Sequence, residues 1–275
     1  GSDRFAGTNI GLAFSPDGNY LAVGTSFVES KLWDLKSGQA TILSPYESHL
    51  MYDAAVTFSP DGNWLGYTPI DGPAFKNFGG SQAYPDLTKA DVEITYLLTF
   101  SPDNQTIAIG GSVFNDAGIA NTKVYVINHQ NGEVKAEFSR ALHIDDITFS
   151  LDGSMLAADG QGDLSVWSLQ DGQEVFNFST GVDSGDILYY NIGKGVSFSP
   201  DGKFLAAGSN QGVVYLWNTS DWSTAFQLEG HEKQSVSVAF SSDGRLLASG
   251  GMDNAILLWD VGTGILVDTL LGHTG

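Results

Sequence analysis

Paired aspartates in glycine-containing stretches are the side chains of this sequence best suited to chemistry. Three groups stand out: Asp145-Asp146, Asp183 with Asp186, and Asp159-Gly-Gln-Gly-Asp163. Together with loop carbonyls, such carboxylates are the ligands that calcium prefers. Asp and Gly are equally common as turn residues, and none of the histidines has the spacing of a metal motif. We therefore predict no metal site and no cofactor, and keep calcium binding as the alternative.

Motifs for enzymatic catalysis are missing from the sequence. It has no Gly-x-Ser-x-Gly nucleophile elbow, no phosphate-binding Gly-Lys-Ser/Thr loop and no cysteine. A glycosidase needs two carboxylates held about 5–10 Å apart in a cleft, a distance that a sequence does not give. We predict a non-enzymatic protein without catalytic residues; a carbohydrate-binding protein or a hydrolase is the alternative.

The charge of the chain limits its partners. With 12 basic and 32 acidic residues, the formal net charge is −20, so the surface repels phosphate backbones and anionic lipids. No apolar run approaches the ~20 residues of a membrane helix. We predict no binding to nucleic acid, no membrane insertion and a preference for basic protein partners. A cysteine-free, lysine-poor chain suits a bacterial protein of the cytoplasm or of an extracytoplasmic space, so the compartment stays open.

The elements that must hold these residues are marked by one phrase that occurs six times. Its copies are Phe14-Ser-Pro-Asp-Gly18, Phe58-Ser-Pro-Asp-Gly62, Phe100-Ser-Pro-Asp-Asn104, Phe149-Ser-Leu-Asp-Gly153, Phe198-Ser-Pro-Asp-Gly202 and Phe240-Ser-Ser-Asp-Gly244. Consecutive phenylalanines are 44, 42, 49, 49 and 42 residues apart. A period of this length with strand-like content indicates a propeller array.

Each repeat predicts one blade of four antiparallel strands. Ser-Pro-Asp-Gly is a hairpin turn between an alternating apolar strand that ends at the phenylalanine and a second apolar strand. A third strand ends on an anchor residue: Trp33, Asn77, Ile127, Trp167, Trp217 or Trp259. A fourth strand completes the blade. The predicted fold is all-β, a β-propeller of six four-stranded antiparallel blades, with a fragment of a seven-bladed or longer array as the alternative.

The repeat extends over almost the whole chain. We interpret residues 8–275 as a single domain, and residues 1–7 as a lead-in that begins with a Gly1-Ser2 cloning remnant. Both ends read like the opening of a repeat, so a closed ring of six blades and an array that has lost a blade both fit. We favour the closed ring, because an open array leaves a blade face uncovered.

These residues resemble the WD-repeat family, and the last repeat resembles it most closely. Gly230-His231 opens that repeat, and Leu258-Trp259-Asp260 ends its third strand. In the family, a His, a Ser or Thr, an Asp and the Trp of one blade form a hydrogen-bonded network. The matching positions here are His231, Ser249, Asp253 and Trp259.

The other repeats depart from this pattern. In the fifth and first repeats, Ala207 and Val23 stand at the position of Ser249, and Gln211 and Phe27 at that of Asp253. Bacterial members of the family look most similar. The resemblance implies a non-enzymatic scaffold that binds a protein or peptide. The alternative is a sensor or assembly segment of a larger bacterial signalling or surface protein, whose partner is another domain of the same polypeptide.

Length differences between the repeats point to a binding surface. The turns of the repeated phrase and the Gly-marked turns after the third strand hardly vary in length. Both kinds of turn lie at the same end of the sheets, which we name the turn face. Connections between strands two and three, and links between blades, share the opposite end, the long-loop face. Both extra lengths fall there, in residues 111–121 and 180–193. Loops on a rigid scaffold commonly carry function.

The candidate binding residues on the long-loop face are aromatic, apolar or polar. They are Phe27, His49, Met51, Tyr52, Phe114, Asn115, Asp116, His143, Asp183, Asp186, Tyr189 and Tyr190. Aromatic anchors beside acidic groups suit a basic peptide or protein. We therefore predict a protein or peptide partner at this end of the sheets.

Overall fold

The regular structure of the described part of the chain consists of β-strands. In the computed structural model the described residues are 9–25, 29–44, 55–69, 72–80, 84, 87, 94–114, 120–140, 144–160, 163–179 and 195–272. All regular elements in these ranges are strands, and the described residues include no helix long and apolar enough to cross a membrane. The chain divides into two compact units, Gly1–Ala141 and Leu142–Gly275.

The first unit contains three antiparallel sheets in chain order. Sheet one comprises β1 (Asn9–Phe14), β2 (Tyr20–Thr25), β3 (Ser30–Asp34) and β4 (Gln39–Ser44); sheet two, β5 (Val56–Phe58), β6 (Trp64–Tyr67) and β7 (Ala74–Asn77); sheet three, β8 (Ile94–Phe100), β9 (Thr106–Phe114), β10 (Ala120–Asn128) and β11 (Val134–Arg140). Strands that pair are consecutive in sequence, which is the meander of a propeller blade.

The second unit repeats this plan three times. Sheet four comprises β12 (Asp146–Phe149), β13 (Met155–Gly160), β14 (Asp163–Ser168) and β15 (Glu174–Ser179); sheet five, β16 (Val196–Phe198), β17 (Phe204–Ala207), β18 (Val213–Asn218) and β19 (Thr224–Glu229); sheet six, β20 (Ser235–Phe240), β21 (Leu246–Gly251), β22 (Ala255–Asp260) and β23 (Leu266–Leu271).

The same turn joins the first two strands of every sheet. In each copy the serine hydroxyl donates to the aspartate Oδ1 at 2.5–2.7 Å and accepts the N–H five residues further on at 2.9–3.0 Å. The last turn residue has a φ between 57° and 73°, a conformation that favours glycine and tolerates the Asn104 of the third copy. The repeated phrase therefore forms the hairpin turn that its sequence predicts.

Apolar side chains pack between consecutive sheets of each unit. In the first unit, Leu32 of sheet one belongs to the same buried cluster as Val56 and Phe58 of sheet two. In the second unit, Leu216 of sheet five is buried with Val238 of sheet six. Within each unit, the first strands of consecutive sheets lie side by side, which accounts for the Ala, Ser or Thr at their middle position.

The first strand of sheet one is far more exposed than the first strand of sheet two. Leu12 and Phe14 are 66% and 65% exposed, whereas Val56 and Phe58, which hold the same positions in sheet two, are each 9% exposed. The closed ring and the single domain over residues 8–275 stay predictions.

The predicted fold class is confirmed: the described residues form six antiparallel sheets of the propeller type. Five sheets have four strands, and sheet two has three among the described residues, since most of 81–93 lies outside them. The predicted anchor of sheet two is wrong by one residue. Leu65 pairs with Lys76 as Leu247 pairs with Trp259. Asn77 instead accepts the N–H of Gly79 at 2.8 Å, so its side chain shapes the following turn.

The insertion in the third repeat lengthens two strands as well as their connection. β9 and β10 have nine residues each, and their pairing continues from Gly111–Lys123 to Phe114–Ala120. The corresponding strands of sheet four end at the Gly160–Asp163 pair, which matches Gly111–Lys123. The β9–β10 hairpin therefore extends about 10 Å further, at about 3.4 Å per residue.

Candidate functional site

The four residues that the resemblance selects in sheet six are joined by hydrogen bonds. His231 Nδ1 lies 3.0 Å from Asp253 Oδ2, and His231 Nε2 lies 2.8 Å from Ser249 Oγ. The indole N–H of Trp259 donates to the same Ser249 Oγ at 2.9 Å. Because a carboxylate only accepts, Nδ1 of His231 donates to Asp253, and in the neutral ring Nε2 accepts the Ser249 hydroxyl proton. The network connects the link before β20 with β21 and β22.

This arrangement has the order of a catalytic Ser–His–Asp triad but cannot act as one. Ser249 is 0% exposed and Trp259 is 2% exposed, so no substrate carbonyl can reach the hydroxyl oxygen. That oxygen also accepts the Trp259 N–H, which takes up one of its two lone pairs and holds it inside the sheet. A nucleophile must meet its substrate as well as its base. The network therefore joins strands.

Close packing holds the two ends of the network. Burial raises the pKa of Asp253, but the N–H of Glu232 at 2.9 Å and the His231 ring outweigh it and hold the pKa below its usual value. A Cβ at Gly251 would collide with the His231 ring and with Asp253 Oδ1, and one at Gly230 would stand 2.9 Å from Trp259. Gly230, which precedes His231, and Gly251 are therefore both needed as residues without a side chain.

Asp146, the second residue of the Asp145-Asp146 pair, joins two sheets of the second unit. Asp146 Oδ2 accepts the N–H of Val196 in sheet five at 3.1 Å, and Oδ1 accepts the N–H of Ile147 at 2.9 Å. Although Asp146 is only half-buried as a residue, its carboxyl lies between β12 and β16, and burial raises its pKa to about 6. Among the described residues no group of His, Cys, Asp and Glu is placed to hold a metal ion.

Most of the aspartates in the described turns lie on the turn face. They are Asp17, Asp34, Asp61, Asp103, Asp152, Asp171, Asp201, Asp221, Asp243 and Asp260. Hydrogen bonds from Ser15 and Ser150 lower the pKa of Asp17 and of Asp152. Those from Lys203 and Ser199 lower the pKa of Asp201 to about 2. Much of the negative charge of the chain therefore serves turn geometry, so net charge by itself does not mark a site for a basic partner.

The residues predicted to bind a partner fall almost entirely outside the described residues. Those outside are Phe27, His49, Met51, Tyr52, Asn115, Asp116, His143, Asp183, Asp186, Tyr189 and Tyr190. Phe114 is the last residue of β9, at the far end of the extended β9–β10 hairpin. The assignment of these residues to binding stays a prediction.

Sequence reasoning missed three polar side chains on the long-loop face of the second unit. The connection 208–212 between β17 and β18 meets the link 230–234 between sheets five and six, where the N–H of Ser235 donates to Ser209 O at 3.0 Å. Asn210 Oδ1, Gln234 Nε2 and Ser235 Oγ are buried there without a hydrogen-bond partner among the described residues. Asn, Gln and Ser are ordinary loop residues, so no sequence signal marks them.

Comparisons with known proteins agree with the repeat. The family model described as "WD domain, G-beta repeat" matches residues 192–218 and 222–260, which cover most of sheets five and six. Periodic tryptophan protein 2 of Arabidopsis thaliana is 27% identical over 229 residues, which are 80% of this chain and 23% of that protein. Pre-mRNA-processing factor 19 of Oryza sativa subsp. japonica is 35% identical over 113 residues, which are 41% of this chain and 21% of that protein.

The similarity covers only part of each relative. Pre-mRNA-processing factor 19 homolog 2 of Arabidopsis thaliana is 29% identical over 136 residues, half of this chain and 23% of that protein. The chain thus spans less than a quarter of the length of each of these relatives. All three are plant proteins, so the expected similarity to bacterial members gains no support from them.

Proposed function

Because this chain belongs to the WD-repeat family, we propose that it is a non-enzymatic platform that binds a protein or peptide through its long-loop face. The observation that carries the proposal is the contrast between the two ends of the sheets. On the turn face the same hydrogen bonds recur in all six turns. At the opposite end the β9–β10 hairpin extends three residue pairs beyond its counterpart in sheet four.

Binding without catalysis fits the described chemistry. The one Ser–His–Asp arrangement among the described residues is closed to substrate, since Ser249 is 0% exposed. A rigid sheet framework with a protruding hairpin offers a partner a preformed surface, and preformed surfaces lose little entropy on binding. Candidate residues such as Tyr189 and Tyr190 have the large aromatic side chains that are typical of binding hot spots.

A pull-down with matched variants tests which end binds. We expect the double variant Tyr189→Ala/Tyr190→Ala to capture at least about tenfold less partner than the unaltered chain, the loss for about 1.4 kcal/mol of binding free energy. The control is Leu35→Ala/Leu151→Ala, which removes two exposed apolar side chains, 46% and 58% exposed, from the turn face. Equal capture by the Tyr189/Tyr190 variant and the unaltered chain would overturn the assignment to the long-loop face.

We further propose that the partner is basic at the contact. In the sequence, the candidates Asp116, Asp183 and Asp186 stand within a few residues of Phe114, Tyr189 and Tyr190, and opposite charges steer association. Capture should then weaken as salt is raised, because salt screens exposed charges over about 8–10 Å. Capture that is independent of salt would remove the basic partner and leave the aromatic contact.

A second candidate is that the partner belongs to the same polypeptide. The supporting observation is that each relative is more than four times as long as the region aligned here. A longer polypeptide can place another domain at high effective concentration beside this platform. Limited proteolysis of the full polypeptide, with and without the Tyr189→Ala/Tyr190→Ala change, should then show faster cleavage between the domains in the variant.

A further inference from the structure

One face of sheet one is exposed at positions that another sheet buries. Leu12 and Phe14 of β1 and Trp33 of β3 are all exposed. In the strand pairing of sheet six, the first and third of these positions belong to Val238 and Trp259. Both are buried, because they form one apolar cluster with side chains of sheet five. This face, here named the front face, is therefore the one that a sheet turns toward the sheet before it.

Sheet six is exposed on its opposite face, here named the back face. Leu270 of β23 is 46% exposed, whereas Leu228, which holds its position in sheet five, is 3% exposed. Leu228 and Leu216 of sheet five are buried in the cluster that includes the front face of sheet six. Leu258, at the position of Leu216, is only half-buried. Each chain thus presents an exposed front face and an exposed back face, the two halves of a contact between sheets.

The charges of the two exposed faces are complementary. Within the second unit, Trp222 in the turn after the third strand of sheet five stacks on Phe176 of sheet four, with ring centroids 4.8 Å apart. In sheet six the position of Phe176 is held by the exposed Asp268. The corresponding turn of sheet one, 34–38, contains the exposed Lys36. An acidic and a basic side chain therefore stand where such faces would meet.

We infer that the front face of sheet one docks on the back face of sheet six of a second copy of this chain. The contact repeats the packing of sheet six on sheet five, so it buries Leu12 and Phe14 and brings Lys36 close to Asp268 of the other copy. Two different faces meet, so the copies either close into a ring or continue as a chain of copies. The inference goes beyond the proposed function, because the long-loop face takes no part in the contact.

The chain itself supplies both halves of this contact, which makes a second copy the occupant that fits it in shape and in charge. Burial of the exposed apolar side chains drives the association, and the opposite charges favour this register over others. The net charge of −20 on each copy opposes the association. Salt screens this repulsion, so the association should strengthen as salt is raised, in contrast to the capture of a basic partner.

Sedimentation equilibrium of the purified chain tests the contact. We expect the mean mass to rise reversibly above that of one chain as the protein concentration is raised. Phe14→Ala should weaken the association at least about tenfold, because it removes an apolar side chain that the contact buries. Leu151→Ala removes an exposed apolar side chain from the turn of sheet four and should leave the association unchanged. A chain that stays monomeric at every concentration, or an association that survives Phe14→Ala, would overturn the proposal.

Charge reversal tests which residues meet across the contact. Lys36→Glu or Asp268→Lys alone brings like charges together, so each should weaken the association about tenfold. The double variant restores an opposite pair and should return to within about threefold of the unaltered chain. A double variant as weak as the single ones would contradict the contact between these residues. Failure of these tests leaves the pull-down result untouched, because the pull-down depends on Tyr189 and Tyr190.

Discussion

The indole N–H of Trp259 donates to the hydroxyl oxygen of Ser249 at 2.9 Å, inside a sheet where neither residue meets solvent. The same hydroxyl lies 2.8 Å from His231 Nε2. One serine therefore ties the third strand of sheet six to the link that precedes the sheet. Sheet five lacks this connection, because Ala207 stands where sheet six has Ser249.

Removal of the Ser249 hydroxyl should destabilise the second unit. In Ser249→Ala the buried N–H of Trp259 and the Nε2 of His231 lose their partner, so we expect the free energy of unfolding to fall by about 2 kcal/mol. Denaturant unfolding followed by tryptophan fluorescence measures the change. Ser237→Ala is the control, since that serine is exposed on β20. Similar losses in the two variants would show that the network adds no stability.

At two glycines in left-handed turns, an added methyl group should lower the free energy of unfolding by different amounts. Gly202 has a φ of 70° and no atom within 4 Å of the place that a Cβ would take, whereas Gly212 has a φ of 80° and would bring its Cβ 2.5 Å from Lys233 O. Gly202→Ala should cost about 1 kcal/mol from backbone strain alone. Gly212→Ala should cost about 3 kcal/mol, because the collision adds to the strain. Thermal denaturation of both variants checks the order, and a smaller loss for Gly212→Ala would contradict the packing of the two connections.

The buried carboxyl of Asp146 should make stability depend on pH in a window above that of the turn aspartates. Burial raises its pKa from 3.8 to about 6, so the folded state binds more protons than the unfolded state between these values. This contribution to stability is present below about pH 4 and is lost as pH rises through 6, with a slope of at most about 1.4 kcal/mol per pH unit. Turn aspartates with lowered pKa values act in the opposite sense, below pH 3.8.

The variant Asp146→Asn isolates this effect. It stays uncharged at every pH, so the decline in the free energy of unfolding between pH 4 and 6 should disappear. Asn keeps one accepting oxygen of the two that hold Ile147 and Val196, so the variant is less stable throughout, and the informative quantity is the slope. An unchanged slope, measured by urea unfolding at a series of pH values, would assign the pH dependence to other groups.

Most of the fold could be predicted from the sequence because the repeat is local chemistry. Ser15, Asp17 and Gly18 form their turn through contacts within six residues, so their spacing alone determines the hairpin. The anchor of sheet two could not be placed, because Lys76 occupies a position where other sheets have a large apolar residue. Without that marker, the register depends on pairing with β6, which the local sequence does not encode.

The candidate site was less predictable, because it depends on contacts between distant segments. The resemblance selected His231 and Ser249, which are 18 residues apart and lie 2.8 Å from each other. Nothing in the sequence indicated that Asn210 and Gln234 would be buried without partners among the described residues, since this follows only from the meeting of two connections. Net charge by itself does not locate a binding surface, because many of the aspartates shape turns on the face away from the predicted binding surface.

Site-specific photo-crosslinking tests most directly whether the long-loop face binds the partner. A photoreactive phenylalanine analogue replaces Phe114, at the far end of the β9–β10 hairpin, or Leu151, which is 58% exposed on the turn face. After irradiation in a lysate of the source organism, crosslinked products are resolved by mass spectrometry. We predict a discrete crosslinked partner from position 114 and none from position 151. A partner crosslinked from position 151 and absent from position 114 would contradict binding through the long-loop face.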